Sequence, residues 1–253
     1  MTTIGFDTSL PVTTACVLRA DGSAVRTPPP SVKRLFGPAN HSQELLPELE
    51  RLLAEAGVSW DQLDSIAVGV GPGTFTGLRI GIATARALAQ ALRLPLHPVS
   101  SLAALAAGVL SSGDAEGERP VLSLIDARRG QVFAALYGAR SAHAAAGALP
   151  DAVWPPFVAD PDRLLQRMTE LTDLKQAAHA PLCAGDWALE SRAELERAGA
   201  EVLAADSGLH AVDALHVCRL GLRVKPVAPD EAQPVYLRLP DAEIGKRLAR
   251  DKA

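Results

Sequence analysis

The first hundred residues alternate short apolar runs with longer amphipathic stretches. Residues 3–7 form an apolar run that ends in a polar cluster, and residues 12–18 are rich in β-branched side chains and precede Asp21-Gly22, a typical hairpin turn. This pattern predicts three strands joined by turns up to about Val25. Residues 26–40 contain three consecutive prolines and no hydrophobic periodicity, which predicts an exposed loop.

Helical patterns follow this loop and alternate with strand-like runs. After His41, leucines recur at helical spacing with charged residues between them, which predicts a helix with one broad apolar face. Pro47 must lie in the first turn of this helix or kink it. The predicted elements are a helix over residues 41–57, a strand over 65–70, a helix over 74–92, a strand over 94–99 and a helix capped by Ser100 or Ser101 that ends near residue 110.

The second half of the chain begins as the first does. An apolar run over residues 121–126 ends in an aspartate, and residues 131–137 alternate like the return strand of a hairpin. We interpret this repetition as an internal duplication, with the polar, Gly-rich residues 111–119 as the crossover. The remaining pattern predicts an irregular segment over residues 139–161, a strand over 181–186, helices over 189–198 and 212–222, and a charged tail after residue 241.

The repeated order of strands and helices predicts an α/β protein of two lobes, in which mixed sheets carry helices on their faces. We expect an N-terminal lobe over residues 1–110, a C-terminal lobe over residues 111–240 and a tail over residues 241–253.

Composition narrows the class of protein. The 253 residues include 48% hydrophobic residues, enough for the core of one large domain or of two half-sized ones. The net charge of -4 lacks the basic field of a stand-alone nucleic-acid binder. Three cysteines lie far apart, which argues against a disulfide framework and a structural zinc site. No apolar run approaches the ~20 residues of a membrane span, and the N-terminus lacks a secretory pattern. We expect a cytoplasmic protein that does not bind membranes.

The segment from Gly71 to Gly81 joins a predicted strand to a predicted helix. Its first glycines allow a sharp turn, and Thr74 can cap a helix whose free N–H groups would suit an anion. The segment is neither a Walker A loop nor a GxGxxG motif. Small residues four apart indicate that something approaches the helix closely, either the protein's own sheet or another subunit; they are Gly77, Gly81, Ala85 and Ala89. The leucine face of the preceding helix leaves the same two interpretations open.

Candidates for catalysis are few. Asp7-Thr8-Ser9 follows the first strand and could orient Mg²⁺ beside a phosphate, although an Asx turn fits equally well. Asp126 has the same placement in the second half, followed by two arginines that suit a phosphate or a solvated turn. The six histidines include no pair at metal-binding helical spacing, and the chain has no GxSxG elbow and no cysteine beside an evident base.

Five segments together resemble the TsaB (YeaZ) family, bacterial subunits in the synthesis of N6-threonylcarbamoyladenosine at position 37 of tRNA. They are IGFDTS at 4–9, HSQELLP at 41–47, GPGTFTGLRIG at 71–81, IDARRGQVF at 125–133 and PVYLR at 234–238. The resemblance implies an actin-like, hexokinase/Hsp70-related fold of two lobes, in agreement with the duplicated pattern. Two loops, at residues 26–40 and 139–160, depart from the family pattern.

The resemblance also implies a non-catalytic role beside a catalytic paralogue, TsaD, and an ATPase partner, TsaE. TsaD carries a His-x-x-x-His metal motif, but residues 98–105 here contain no histidine, so neither a metal nor a cofactor is expected. In the family, the two helices that follow His41 and the GPG turn pack against those of TsaD, and the isolated subunit pairs with itself through the same face. The expected interface residues are His41, Leu45, Leu46, Leu49, Leu53, Thr74, Gly77, Leu78, Gly81 and Ala85.

Two functions remain open from the sequence. The first is a scaffold subunit that binds TsaD, supports TsaE, contacts tRNA only through the complex and forms a homodimer when alone. For this function, Gly77→Leu or Leu49→Asp is expected to abolish association with TsaD while the monomer stays folded. The alternative is an independent actin-like ATPase or kinase, although both hairpins lack the DxGxT form of such enzymes. Its nucleotide-facing residues would be Asp7, Thr8, Ser9, Gly71 and Asp126.

Overall fold

Two five-stranded sheets organise the molecule. The computed structural model describes residues 1–112, 119–138, 149–173 and 179–238. The first sheet has the order β3-β2-β1-β4-β5 and consists of β1 (Thr3–Asp7), β2 (Thr14–Leu18), β3 (Ala24–Arg26), β4 (Ser65–Gly69) and β5 (Leu96–Val99). Strands β1, β2 and β3 pair antiparallel, as the hairpin turns predicted, and β1, β4 and β5 pair in parallel.

Two long helices cover one face of the first sheet, and both predicted helices are confirmed. They are α2 (His41–Ala56) and α3 (Phe75–Leu92), and they follow a single-turn helix, α1 (Val32–Leu35), in the predicted loop. The leucine face of α2 packs into a core formed with α3, β1, β2 and β4. Pro47 lies in the second turn of α2 on its exposed side.

The second sheet repeats the first strand for strand. Its strands are β6 (Val121–Arg128), β7 (Gln131–Tyr137), β8 (Ala152–Ala159), β9 (Leu182–Ala184) and β10 (Glu201–Val202). Taken from the β8 edge, the order is β8-β7-β6-β9-β10, and each pair has the same parallel or antiparallel sense as its counterpart in the first sheet. The internal duplication is confirmed, and the molecule has the actin-like, two-lobed α/β architecture.

Helices α4 (Ser101–Ser111) and α8 (Ala214–Gly221) pack between the two sheets. Helix α4 lies on the second sheet, where Ser123 Oγ donates to the Leu102 carbonyl at 3.0 Å. Helix α8 returns to the first sheet, where a Cβ on Gly5 would lie 2.5 Å from Cys218 Sγ. Each sheet therefore packs against a helix from the other half of the chain, which joins the lobes predicted at residues 1–110 and 111–240.

The prediction of an irregular segment up to residue 161 is wrong at its end. Strand β8 occupies Ala152–Ala159, and helix α5 (Pro161–Asp173) follows it. Pro155 and Pro156 obscured the strand, but β8 is an edge strand, where a missing N–H donor is tolerated. Residues 113–118 of the predicted crossover, residues 139–148 and the tail after residue 241 lie outside the described residues.

The single helix predicted over residues 189–198 is also wrong. The chain forms two short helices instead, α6 (Asp186–Glu190) and α7 (Arg192–Arg197). They are separate because Ser191 between them has non-helical dihedral angles, φ -108° and ψ 25°. Three single-turn 3-10 helices complete the described chain, at Trp60–Gln62, Gly208–His210 and Pro229–Glu231. Among the helices in the described ranges, none has the length and apolar character needed to cross a bilayer.

Candidate functional site

The loop between β1 and β2 is the first candidate site, and its aspartate is fully enclosed. Asp7 is 1% exposed. Its Oδ1 accepts hydrogen bonds from the Ser9 N–H at 2.8 Å and the Ser9 hydroxyl at 2.5 Å, and its Oδ2 accepts one from the Ser101 hydroxyl at 2.6 Å. Burial raises the pKa of Asp7, while the hydrogen bonds from Ser101 and Ser9 oppose that rise. The carboxylate ties this loop to the start of α4.

The turn at Gly71–Thr74 closes over the same loop. The Thr74 N–H donates to the Ser9 carbonyl at 2.8 Å, and a Cβ on Gly73 would lie 2.5 Å from the Cβ of Ser9. Gly71 has a φ of 97°, which favours glycine, and its peptide bond to Pro72 is cis. Asp7, Thr8, Ser9 and Gly71, predicted to face a nucleotide, are buried under the chain's own backbone. We call this enclosed arrangement the hairpin floor.

The stripe of small residues on α3 is explained by the same contact. A Cβ on Gly77 would lie 2.0 Å from the Thr8 carbonyl oxygen, and a Cβ on Gly81 would lie 2.2 Å from Thr8 Oγ1. Thr8 Oγ1 also donates to the Gly77 carbonyl at 2.8 Å. Ala85 is fully buried beneath the helix. The close approach is therefore made within the chain, by Thr8, and a partner contact of Gly77, Gly81 and Ala85 stays a prediction.

The leucine face of α2 is likewise used inside the chain. The side chains of Leu45, Leu49, Leu53 and Leu78 are at most 3% exposed because α2 and α3 pack on the first sheet with these faces inward. His41 is 3% exposed as well. Thr74 is half-buried at the N-cap of α3, and its side chain makes no capping hydrogen bond. Of the expected interface residues, Leu46 has the most exposed side chain, at 49%.

A cluster that the sequence did not reveal lies on the exposed side of α3. Phe75 stacks on Tyr236 with ring centroids 5.4 Å apart, and the guanidinium carbon of Arg79 lies 3.7 Å from the centre of the Phe75 ring. Arg79 Nε donates to the Tyr236 hydroxyl at 3.1 Å, and the Val235 N–H donates to the Val70 carbonyl at 2.8 Å. Both aromatic side chains stay exposed, at 39% and 42%. We call Phe75, Arg79 and Tyr236, together with the exposed Leu46 of the neighbouring helix α2, the outer surface.

The second hairpin, between β6 and β7, has the form of an Asx turn. Asp126 Oδ1 accepts from the Arg128 N–H at 2.7 Å, and its Oδ2 lies 2.9 Å from Arg128 Nη1. The Asp126 N–H donates at 2.9 Å to Asp186, a residue that the sequence gave no reason to select. Burial raises the pKa of Asp186 to about 6. Arg238 Nη1 donates to the Ala127 carbonyl at 2.7 Å, so the PVYLR segment links the outer surface to this turn.

The remaining candidates are the histidines and the cysteines. Within the described ranges, no three histidine, cysteine, aspartate or glutamate side chains are close enough to hold a metal ion. His210 is fully buried and bonds backbone groups of Gly185, Leu203 and Ala204, which is a structural role. All three cysteines are free and buried.

The chain is similar over most of its length to a curated tRNA-modification protein. It is 35% identical over 203 residues to the tRNA threonylcarbamoyladenosine biosynthesis protein TsaB of Escherichia coli (strain K12), which is 79% of this chain and 82% of that protein. This chain belongs to the TsaB (YeaZ) family. The TsaB of Bacillus subtilis (strain 168) is 39% identical to it over 98 residues, which is 39% of this chain and 41% of that protein.

Solved structures of the TsaB (YeaZ) family share this fold. YeaZ from Pseudomonas aeruginosa superposes on this chain with a TM-score of 0.71 and 29% sequence identity, over 93% of this chain and 99% of that one. Residues 37–168 also match the family model described as TsaD: tRNA N6-adenosine threonylcarbamoyltransferase. That match includes α2, α3 and the second hairpin. The resemblance on which the fold was expected is thus confirmed.

Proposed function

We propose that this TsaB-family chain is a non-catalytic subunit in the biosynthesis of tRNA threonylcarbamoyladenosine, and that it binds TsaD. Its relatives named TsaB and its match to the TsaD family model support the pathway and the partner. The closed hairpin floor is the observation that supports the non-catalytic role. Where an actin-like enzyme needs an open loop for phosphate, Asp7 is bonded to Ser9 and Ser101 beneath the Gly71–Thr74 turn. A carboxylate whose two oxygens are already bonded inside the chain is poorly placed to hold Mg²⁺.

The outer surface offers a partner exposed side chains on and beside α2 and α3. The leucine face and the small-residue stripe are occupied by the core, so contacts with TsaD fall to exposed side chains such as Leu46 and the Phe75–Tyr236 pair. Aromatic and arginine side chains are enriched at the centres of protein interfaces. In the absence of TsaD, the same surface would pair two copies of this chain into a homodimer.

We propose that tRNA and TsaE bind the assembled complex. A net charge of -4 gives the isolated chain little attraction for RNA, so we assign contact with tRNA to the assembled complex. TsaE would bind the surface that this chain and TsaD form together. Side chains of TsaD alone would then transfer the threonylcarbamoyl group from its adenylate to adenosine 37. The complex would work in the cytoplasm.

Coelution with TsaD on size exclusion tests the proposed contact. We expect Leu46→Asp and Tyr236→Asp to abolish coelution, because each places a charge on the outer surface. Leu149→Asp is the matched control, since Leu149 is 51% exposed but precedes β8 of the second sheet. All three variants should keep the thermal midpoint of the unmodified chain. Coelution of both outer-surface variants would contradict the interface, and failure of the unmodified chain to coelute would contradict the function.

A further inference from the structure

A groove of about 330 Å³ lies between helix α3 and the segment of residues 233–236. Arg79, Ala83 and Arg86 line it from the helix, and Pro234 and Tyr236 line it from the segment. Because Arg79 and Tyr236 also belong to the outer surface, the groove continues that surface along α3.

The two arginines give this groove a positive charge. Arg79 and Arg86 lie seven residues apart on one face of α3, which is about 10 Å along the helix axis. Helix α3 itself contains no acidic residue. Asp230 and Glu231 lie on the 3-10 helix that packs against α3, but among the described residues no carboxylate lies within salt-bridge distance of either arginine. The groove therefore offers two unpaired cations on a chain whose net charge is -4.

Contacts within the chain hold both guanidinium groups in place. The guanidinium carbon of Arg79 lies 3.7 Å from the centre of the Phe75 ring, and its Nε donates to the Tyr236 hydroxyl at 3.1 Å. Arg86 Nη2 donates to the Asp230 carbonyl at 3.2 Å. Each guanidinium keeps further N–H donors in the planar arrangement that matches a carboxylate. Because both groups are already ordered, they lose less side-chain entropy when they bind one.

The groove is apolar between the two arginines. Ala83 is exposed there, Ile82 is buried beneath it, and the half-buried Pro234 faces them from the other wall. The small side chain of Ala83 leaves room for an apolar side chain from outside. A ligand that fits this groove therefore carries two negative charges about 10 Å apart with an apolar group between them.

We infer that the groove binds an acidic segment of the partner protein. Two carboxylates of that segment pair with Arg79 and Arg86, and an apolar side chain between them lies on Ala83. This inference rests on the proposed function, because the partner is the TsaD of that proposal. RNA is the other polyanion that arginines attract, but the exposed Asp230 and Glu231 beside the groove interrupt the extended basic surface that RNA binding requires.

The rate at which TsaD associates with the immobilised chain, measured at low and at high salt, tests the inference. We expect Arg79→Gln and Arg86→Gln each to slow association at low salt by about threefold to tenfold and to weaken its salt dependence, because each removes a charge that attracts the partner. Arg86→Lys keeps the charge, so it should keep the salt dependence of the unmodified chain. Arg86 makes no contact with the Phe75–Tyr236 pair in the structure, so its variants test the charge without disturbing that stack.

Arg163→Gln is the matched control. It removes the same charge from an exposed position on α5, beside the second sheet, and should associate with TsaD like the unmodified chain. If TsaD binds the unmodified chain and both groove variants behave like Arg163→Gln, the inference is overturned and the proposed function stands. If TsaD does not bind the unmodified chain, both are contradicted. Binding of unmodified tRNA by the isolated chain that Arg86→Gln abolishes would assign the groove to RNA and overturn the acidic partner.

Discussion

The contact between Gly77 and the Thr8 carbonyl predicts that one added methyl group at residue 77 lowers the free energy of unfolding. In Gly77→Ala, the new Cβ would lie 2.0 Å from that oxygen and 2.6 Å from Thr74 Oγ1. The Thr8 oxygen belongs to the backbone, so a side-chain rotation cannot relieve the overlap. Overpacking of this kind costs about 3 kcal/mol, and the better helix propensity of alanine offsets about 1 kcal/mol of it. We expect the free energy of unfolding to fall by about 2 kcal/mol.

Gly108→Ala is the control, because Gly108 also lies inside a helix but has room for a side chain. A Cβ there would lie 3.6 Å from His216 Cδ2, an ordinary contact, so alanine should stabilise the protein by up to about 1 kcal/mol. Urea unfolding followed by circular dichroism measures both variants. Equal stabilisation of the two would refute the close packing of α3 on the hairpin floor. For the same reason we expect Gly77→Leu to prevent folding of the monomer, contrary to the sequence-based expectation.

Three further predictions follow from buried polar and apolar groups. Leu49→Asp should prevent folding, contrary to the sequence-based expectation, because Leu49 is fully buried; a native circular dichroism spectrum would contradict this. Asp7→Asn should lower the free energy of unfolding by about 1–3 kcal/mol, because an amide cannot accept all three hydrogen bonds. ATP hydrolysis by the purified chain that Asp7→Asn stops would instead favour the ATPase alternative. Since folding raises the pKa of Asp186 to about 6 from an ordinary 3.8, its stabilising contribution is complete below pH 3.8 and lost as the pH rises through 6. Asp186→Asn keeps both Oδ1 acceptor contacts and does not ionise. Its free energy of unfolding, relative to that of the unmodified chain, should therefore rise from pH 4 to pH 7. The same difference at both pH values in urea unfolding would rule this out.

Local patterns predicted the strands and helices better than they predicted which faces meet. The duplicated runs ending at Asp7 and Asp126 were enough to predict two similar sheets, because each half carries its own hydrophobic periodicity. The small-residue stripe on α3 predicted a close approach but could not identify Thr8 as the neighbour, since that contact joins residues 69 apart. The leucine face was ambiguous for the same reason.

Features that depend on distant segments were not predictable. Tyr236 meets Arg79 across 157 residues, and no local pattern marks either residue as part of a surface cluster. The contact of Arg238 with the Ala127 carbonyl joins residues 111 apart. Strand β8 was missed because propensity alone places prolines in loops, whereas an edge position tolerates them.

Reconstitution of tRNA modification tests the proposed subunit role most directly. TsaD, TsaE, threonylcarbamoyl-adenylate and unmodified tRNA are incubated with and without this chain, and N6-threonylcarbamoyladenosine is measured by mass spectrometry of the digested tRNA. The proposed role predicts that the modified nucleoside forms when this chain is present and is lost when it is omitted or replaced by Leu46→Asp. Equal formation with and without the chain would contradict it.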